Sequence, residues 1–184
     1  MLFRQIYRPR CCRIWQTNVK KILVFALLMP MLAHAGWGEF EYEFDNEKPW
    51  QELQTQLPPY PQDKNLLPFF VSAATDNRFF IDSPSISVAE DGVVRYTLLV
   101  KSSAGAVTVS FEGIRCSSHE KKIYAFGRND GVWSRARASK WEGIVFKDRN
   151  RQHHMLYDDF FCRNGIIIRN ADEAIRALKA NAHF

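Results

Sequence analysis

The sequence predicts an α+β fold: mainly an antiparallel β-sheet, with a C-terminal helix and one disulfide. Three observations predict it. Residues 93–116 (VVRYTLLVKSSAGAVTVSFEGIRC) form two β-rich arms around a Ser-Ser-Ala-Gly turn. Residues 170–180 set Ala171, Ala174, Ile175 and Leu178 on one helical face. Downstream of residue 35, the chain has only two cysteines, Cys116 and Cys162.

The N-terminal residues explain why the other two cysteines are set aside. Residues 1–21 carry Arg4, Arg8, Arg10, Arg13, Lys20 and Lys21 without an acid, before the apolar run at 22–32 and Ala33-His34-Ala35. A basic region, a short apolar core and an A-x-A site read as a secretory signal peptide over residues 1–35, cut after Ala35. The apolar run is short for a membrane span, so no span is expected after cleavage. The long basic region also fits a translation start at Val19. Cleavage exposes Gly36 rather than a lipoprotein-type cysteine and removes Cys11 and Cys12. In an oxidising compartment, Cys116 and Cys162 are then expected to pair.

The processed chain is expected to hold an N-terminal arm and Pro-rich connector at 36–65, then one α+β domain at 66–184. In the arm, Glu39, Glu41 and Glu43 alternate with Phe40, Tyr42 and Phe44, as in a strand or extended strap. Residues 50–57 are expected to form a short helix, stopped by Pro58-Pro59 and followed by Tyr60-Pro61. Two short strands around an Ala-Ala-Thr-Asp-Asn turn at 73–77, or one strand and a bulged continuation, are expected, with another brief strand at 85–89. The Asp91-Gly92 turn delivers the chain into the central hairpin.

In that hairpin, Val94, Tyr96, Leu98 and Val100 share one face, while Val93, Arg95, Thr97, Leu99 and Lys101 share the other. Val107, Val109 and Phe111 alternate with Thr108, Ser110 and Glu112 in the second arm. Period-two alternation predicts antiparallel strands with one covered apolar face. After a turn at 117–120, residues 121–128 predict a further strand, and Asn129-Asp130-Gly131 a turn before Val132-Trp133. Residues 153–162 predict a short helix or turn carrying Cys162 to the sheet. Asn170 is the expected N-cap of the final helix.

Charge is segregated along the chain. The full sequence is +5, but removing residues 1–35 leaves 19 basic and 20 acidic side chains. Residues 36–91 hold 3 basic and 11 acidic side chains; residues 92–184 hold 16 and 9. A near-neutral processed chain argues against nucleic acid as partner. The basic segment, with Arg115, Arg128, Trp133, Arg135, Arg137 and Trp141, suits an anionic envelope component or another exported protein. The same cations can also be covered by the acidic N-terminal half.

Catalytic signals are sparse. No G-x-S-x-G, Walker or dinucleotide pattern is present. His119, Glu120, His153, His154 and Asp158 offer the alternative of a metal-assisted hydrolase, with His154 and Asp158 one helical turn apart. Their spacing lacks H-E-x-x-H, so no catalytic residue, metal ligand or cofactor is assigned.

The segments LPPYP, LLPFFV, RFFIDSPSISVAEDGVVRYTLLVKSSAGAVTVSFEGIRC, KIYAFGRNDGVW and FFC together resemble the CNP1-like family of exported proteobacterial proteins. The resemblance runs from Trp50 to Cys162. It rests on Trp50, Asp91-Gly92, Arg95-Tyr96, residues 112–116, Gly127-Arg128, Trp133 and Cys162. It implies a periplasmic setting and transfers no catalytic residue or cofactor. The expected function is a periplasmic, envelope-associated binding or interaction protein. A metal-assisted hydrolase and a purely structural envelope protein are the alternatives.

Overall fold

The computed structural model describes residues 49–146 and 151–181. These fall in the second of two compact units, Pro49–Phe184. The expected signal peptide at 1–35, the aromatic-acidic residues at 36–48, and Lys147 and Arg149 lie outside the described residues.

The described strands form one antiparallel sheet in sequence order: β1 Leu66–Phe69, β2 Arg78–Val88, β3 Val93–Lys101, β4 Val107–Arg115, β5 Glu120–Gly127 and β6 Trp133–Arg135. A short β7, Glu142–Gly143, pairs with the beginning of β5, while β6 pairs with its end. Sequential neighbours need only short connections, so the chain folds as a meander.

The predicted central hairpin is β3–β4. Its register runs unbroken from Val93↔Arg115 to Lys101↔Val107. Ser102 donates its amide to Ala106 O at 2.9 Å, and Gly105 supplies a positive φ of 85° to close the turn. The predicted strand at 85–89 is instead the continuation of β2 past an irregularity between Asp82 and Ser87. Ser85 Oγ bridges it, donating to Asp82 O at 2.7 Å and accepting from Thr97 N at 2.8 Å. A side chain thus replaces a ladder bond where the register shifts.

One sheet face packs beneath α1 (Arg151–Met155), a π-helical turn (Leu156–Phe161) and α2 (Ala171–Ala180). Its core includes Val94, Tyr96, Leu98, Ile114, Leu156, Phe161 and Leu178. The Tyr96 and Phe161 rings meet at 5.0 Å. Full burial of each such aliphatic or aromatic side chain contributes about 1.5–3 kcal/mol before chain entropy is counted. The expected Cys116–Cys162 disulfide is present and ties β4 to the end of the π-helical turn. Asn170 caps α2, its Oδ1 accepting from Glu173 N at 3.0 Å.

Two expectations change. The opposite face is also covered: Val93, Arg95, Thr97, Leu99 and Phe111 are all buried. Its cover is a strap at residues 49–61, and the expected helix at 50–57 is absent from it. Leu53 spends its amide on Asp91 and its carbonyl on Arg95, while Pro58 O accepts from Trp133. Groups that a helix would pair internally are used against the sheet, and the prolines remove further donors.

Candidate functional site

The strap is locked at three levels down the sheet. At its start, Trp50 Nε1 donates to Asp91 O at 2.7 Å, and the Arg115 guanidinium stands 3.9 Å from the Trp50 ring centroid. Trp141 meets Trp50 edge-on at 5.8 Å.

The next level carries the charges. Arg95 grips Asp91 with both terminal nitrogens, at 3.1 and 2.6 Å, and Leu53 N adds a bond to Asp91 at 2.9 Å. Burial pushes the Asp91 carboxyl up. The Arg95 guanidinium and the Leu53 and Val93 amides outweigh it and hold the group below its ordinary value. Glu52 is treated alike. Burial raises it, but Lys122 at 2.7 Å, Tyr124 and Trp141 at 3.2 Å together lower it.

At the third level Tyr60 donates to Arg128 O at 2.9 Å, and Trp133 Nε1 donates to Pro58 O at 2.8 Å. Gly127 makes this approach possible: a Cβ there would lie 2.8 Å from Val109 Cβ and 2.9 Å from the Tyr60 ring. The strap therefore docks through residue identity at both ends of the contact.

Between the strap and β5–β6 lies a cleft of about 310 Å³. Leu53, Gln54, Thr55 and Leu57 form one wall; Lys122, Tyr124, Arg135, Ala136 and Ser139 form the other, with Glu52 at the join. The segment after β6 is held along β5 by Ala136 N to Tyr124 O at 2.9 Å and Ser139 Oγ to Ile123 O at 2.8 Å.

The sheet's other face holds a buried polar cluster. Glu112 Oε2 accepts from Tyr96 at 3.1 Å and from His153 Nε2 at 2.7 Å, and Oε1 accepts from Ser110 at 2.6 Å. Burial raises the Glu112 carboxyl, but His153, Ser110 and Tyr96 more than compensate, leaving it below its ordinary value. Burial and the Glu112 charge push the Tyr96 hydroxyl well up. An ionised carboxylate only accepts, so His153 Nε2 carries the proton in this contact. With Glu112 2% and His153 5% exposed, the pair is sealed from solvent and suited to holding the core together.

The model of the CNP1-like family matches residues 45–179. The chain belongs to the CNP1-like family. No curated protein and no solved structure matches it. In this CNP1-like chain, Cys116 and Cys162 of the family resemblance form the disulfide, and several of its other positions fall on two structures. Trp50, Asp91, Arg95, Gly127 and Trp133 lock the strap, and Tyr96 and Glu112 make the buried cluster.

The sequence-selected binding residues divide into two groups. Trp133, Trp141 and Arg115 have their indole N–H groups or cationic face engaged with the strap. Arg128 pairs with Asp130 at 3.0 Å on the surface. Arg135 and Arg137 are exposed, Arg135 lines the cleft, and Lys140 is exposed beside them. Among the described residues, none of these last three forms an ion pair.

The residues of the hydrolase alternative are separated. His153 is committed to Glu112, and His154 pairs with Asp158 at 3.1 Å. The His119 ring packs against Tyr157 with centroids 4.1 Å apart and the planes tilted by 50°, while Glu120 faces Arg115 at 3.9 Å. Among the described residues, no group of three or more His, Cys, Asp or Glu is placed to hold a metal ion. No helix among them is long and apolar enough to cross a membrane.

The strap lock and the Glu112 cluster were not singled out by sequence reasoning. For the strap, the usable signal was the acidic N-terminal half against the basic C-terminal half. Glu52 and Asp91 are the acids that meet Lys122 and Arg95.

Proposed function

We propose that this protein is an exported, periplasmic binding module of a proteobacterial cell envelope, non-enzymatic, which associates with an anionic envelope surface through Arg135, Arg137 and Lys140. The observation that carries the reading is the exposure of these three cations in one short segment at the mouth of the strap cleft, without ion pairs among the described residues. The neighbouring cations Arg95, Lys122 and Arg115 are spent on the strap or its anchor, whereas Arg135, Arg137 and Lys140 remain exposed beside them. The disulfide is compatible with an oxidising compartment. The N-terminal basic and apolar segments support export.

Each cation held near an anionic membrane contributes about 1 kcal/mol at physiological salt. Three together amount to roughly a hundredfold in affinity. The test is co-sedimentation of the full chain with phosphatidylglycerol-containing vesicles and with phosphatidylcholine vesicles, at low and high salt. The expected result is salt-sensitive binding to the anionic vesicles, lost in the Arg135→Glu/Arg137→Glu/Lys140→Glu variant. Equal binding by parent and variant would refute the reading. Detection of the unprocessed chain in the cytoplasmic fraction alone would refute export.

A further inference from the structure

The cleft between the strap and β5–β6, about 310 Å³ in volume, carries more chemistry than one exposed cation. Arg135 ends β6 and is the register partner of the buried Ala125, so its side chain stands on the strap face. Lys122 also lines the cleft, but Glu52 neutralises it at 2.7 Å. Among the described residues, Arg135 is thus the lining cation without an ion pair. The groups around it are rich in acceptors. Ser139 Oγ donates to Ile123 O at 2.8 Å, and Thr55 Oγ1 donates to Leu53 O at 3.3 Å. Each hydroxyl spends its hydrogen within the chain and keeps lone pairs for a ligand. The Glu52 carboxylate accepts only, and the exposed Gln54 amide adds a further acceptor oxygen beside its donors.

An unpaired guanidinium among acceptors selects a ligand by its charge and by its donors. A single negative charge matches Arg135, whose planar fork takes two phosphate oxygens in parallel bonds. A phosphomonoester or a polyanion brings further negative oxygens towards Glu52, and no second unpaired cation lines the cleft among the described residues. Hydroxyl groups beside the phosphate, by contrast, donate to Thr55, Ser139 and Glu52. Leu53 and Leu57 supply an apolar patch for the carbon skeleton, and the volume suits a small polar group. We propose that the cleft recognises a monoanionic phosphodiester bearing free hydroxyls, the phosphoglycerol group. Its phosphate sits on Arg135 and its hydroxyls on Thr55 and Ser139. The inference rests on the anionic-surface reading for its source, a lipid headgroup at the cleft mouth, where Arg137 and Lys140 meet the surrounding charge.

In the experiment, the full chain is titrated with vesicles holding equal fractions of phosphatidylglycerol or of phosphatidylmethanol. These lipids carry the same charge and differ in the headgroup hydroxyls. Phosphatidylglycerol is expected to bind about tenfold more tightly, as two neutral hydrogen bonds allow. Thr55→Val, nearly isosteric and without the acceptor, lowers that ratio to about threefold. Ala136→Trp fills the cleft and abolishes the preference. Equal affinity for the two lipids in the parent, or a ratio unaltered by either variant, would overturn the phosphoglycerol assignment while leaving the anionic-surface reading intact. Should Ala136→Trp fail to fold, Thr55→Val alone must lower the ratio. Binding to neither lipid overturns the anionic-surface reading instead. The cleft is then judged by the methyl signals of Leu57 and Ala136 in an NMR titration with soluble glycerophosphoglycerol. Saturable shifts, weakened by Thr55→Val, would assign the site to a free phosphoglycerol solute, and absent shifts would overturn it.

Discussion

Replacing Glu112 by Gln removes one charge from the centre of the molecule and nearly preserves its shape. In the parent, three donors converge on one carboxylate: Ser110 on Oε1, and Tyr96 and His153 on Oε2. An amide offers one acceptor oxygen and one donor nitrogen, so at least one of these donors faces an N–H group. Whichever way the amide turns, the His153 contact loses its anionic partner. Breaking a buried pair from one side costs about 3–5 kcal/mol, because the remaining groups stay desolvated. Tyr96→Phe removes one donor and leaves the carboxylate its other two, for an expected loss of about 1.5–3 kcal/mol. Urea unfolding of the full chain near neutral pH, with the disulfide intact, measures both. A loss below about 1 kcal/mol for Glu112→Gln, or a larger loss for Tyr96→Phe than for Glu112→Gln, would show that the carboxylate is not the hub of this cluster.

Further outcomes follow from other contacts. Gly127→Ala places a methyl against Val109 and Tyr60, and is expected to lose about 1–3 kcal/mol and to expose the strap to limited proteolysis; an unchanged digestion pattern counts against the docking argument. Removing the disulfide by Cys116→Ala/Cys162→Ala releases a crosslink spanning 46 residues, for an expected loss of about 4 kcal/mol by the chain-entropy relation. For pH, Glu112, Glu52 and Asp91 titrate below their ordinary values of 4.5, 4.5 and 3.8 when folded. Each therefore contributes its full stabilisation above the ordinary value and loses it as pH falls through the folded one. Burial raises Asp82 above 3.8, giving the opposite sign: its ionisation costs stability as pH rises through that value. Glu173, held below its ordinary value by Arg169, has the same sign as the first three, so with four groups against one the urea midpoint is expected to fall on acidification below about pH 5. A midpoint that rises there contradicts the assignment.

The elements most legible in the sequence were those whose signals are local. The β3–β4 hairpin follows from alternation around a short turn, and α2 from its apolar stripe and Asn170. The disulfide followed from a count of the cysteines left after the export-type segment. What local patterns did not convey was the second covering of the sheet. Arg95 and Thr97 read as part of a mixed, uncovered face, yet both are buried under a strap that brings the Glu52 carboxylate and the Leu53 carbonyl to Arg95. The strap itself read as helical at 50–57, because propensity does not register backbone groups spent on a distant strand. Glu112 read as one of the polar positions alternating with Val107, Val109 and Phe111 in the second arm of the hairpin. Its partner His153 lies 41 residues away, beyond the reach of any spacing argument. Within the candidate site, Trp133 and Trp141 read as ligand-stacking rings, while the folded chain engages them in holding the strap.

On the strap face we propose a division of labour: aromatic residues fasten the strap, and Arg135, Arg137 and Lys140 meet an anionic partner. Measuring vesicle affinity and urea stability together in two variants separates the two roles. One is Arg135→Glu/Arg137→Glu/Lys140→Glu; the other is Trp133→Phe/Trp141→Phe, which removes two indole N–H bonds to the strap. The charge variant is predicted to lose roughly a hundredfold in binding to phosphatidylglycerol vesicles at nearly unchanged stability. The tryptophan variant is predicted to lose about 1–3 kcal/mol of stability and to bind as the parent does. Loss of binding in the tryptophan variant at full stability, with binding retained in the charge variant, would contradict the claim.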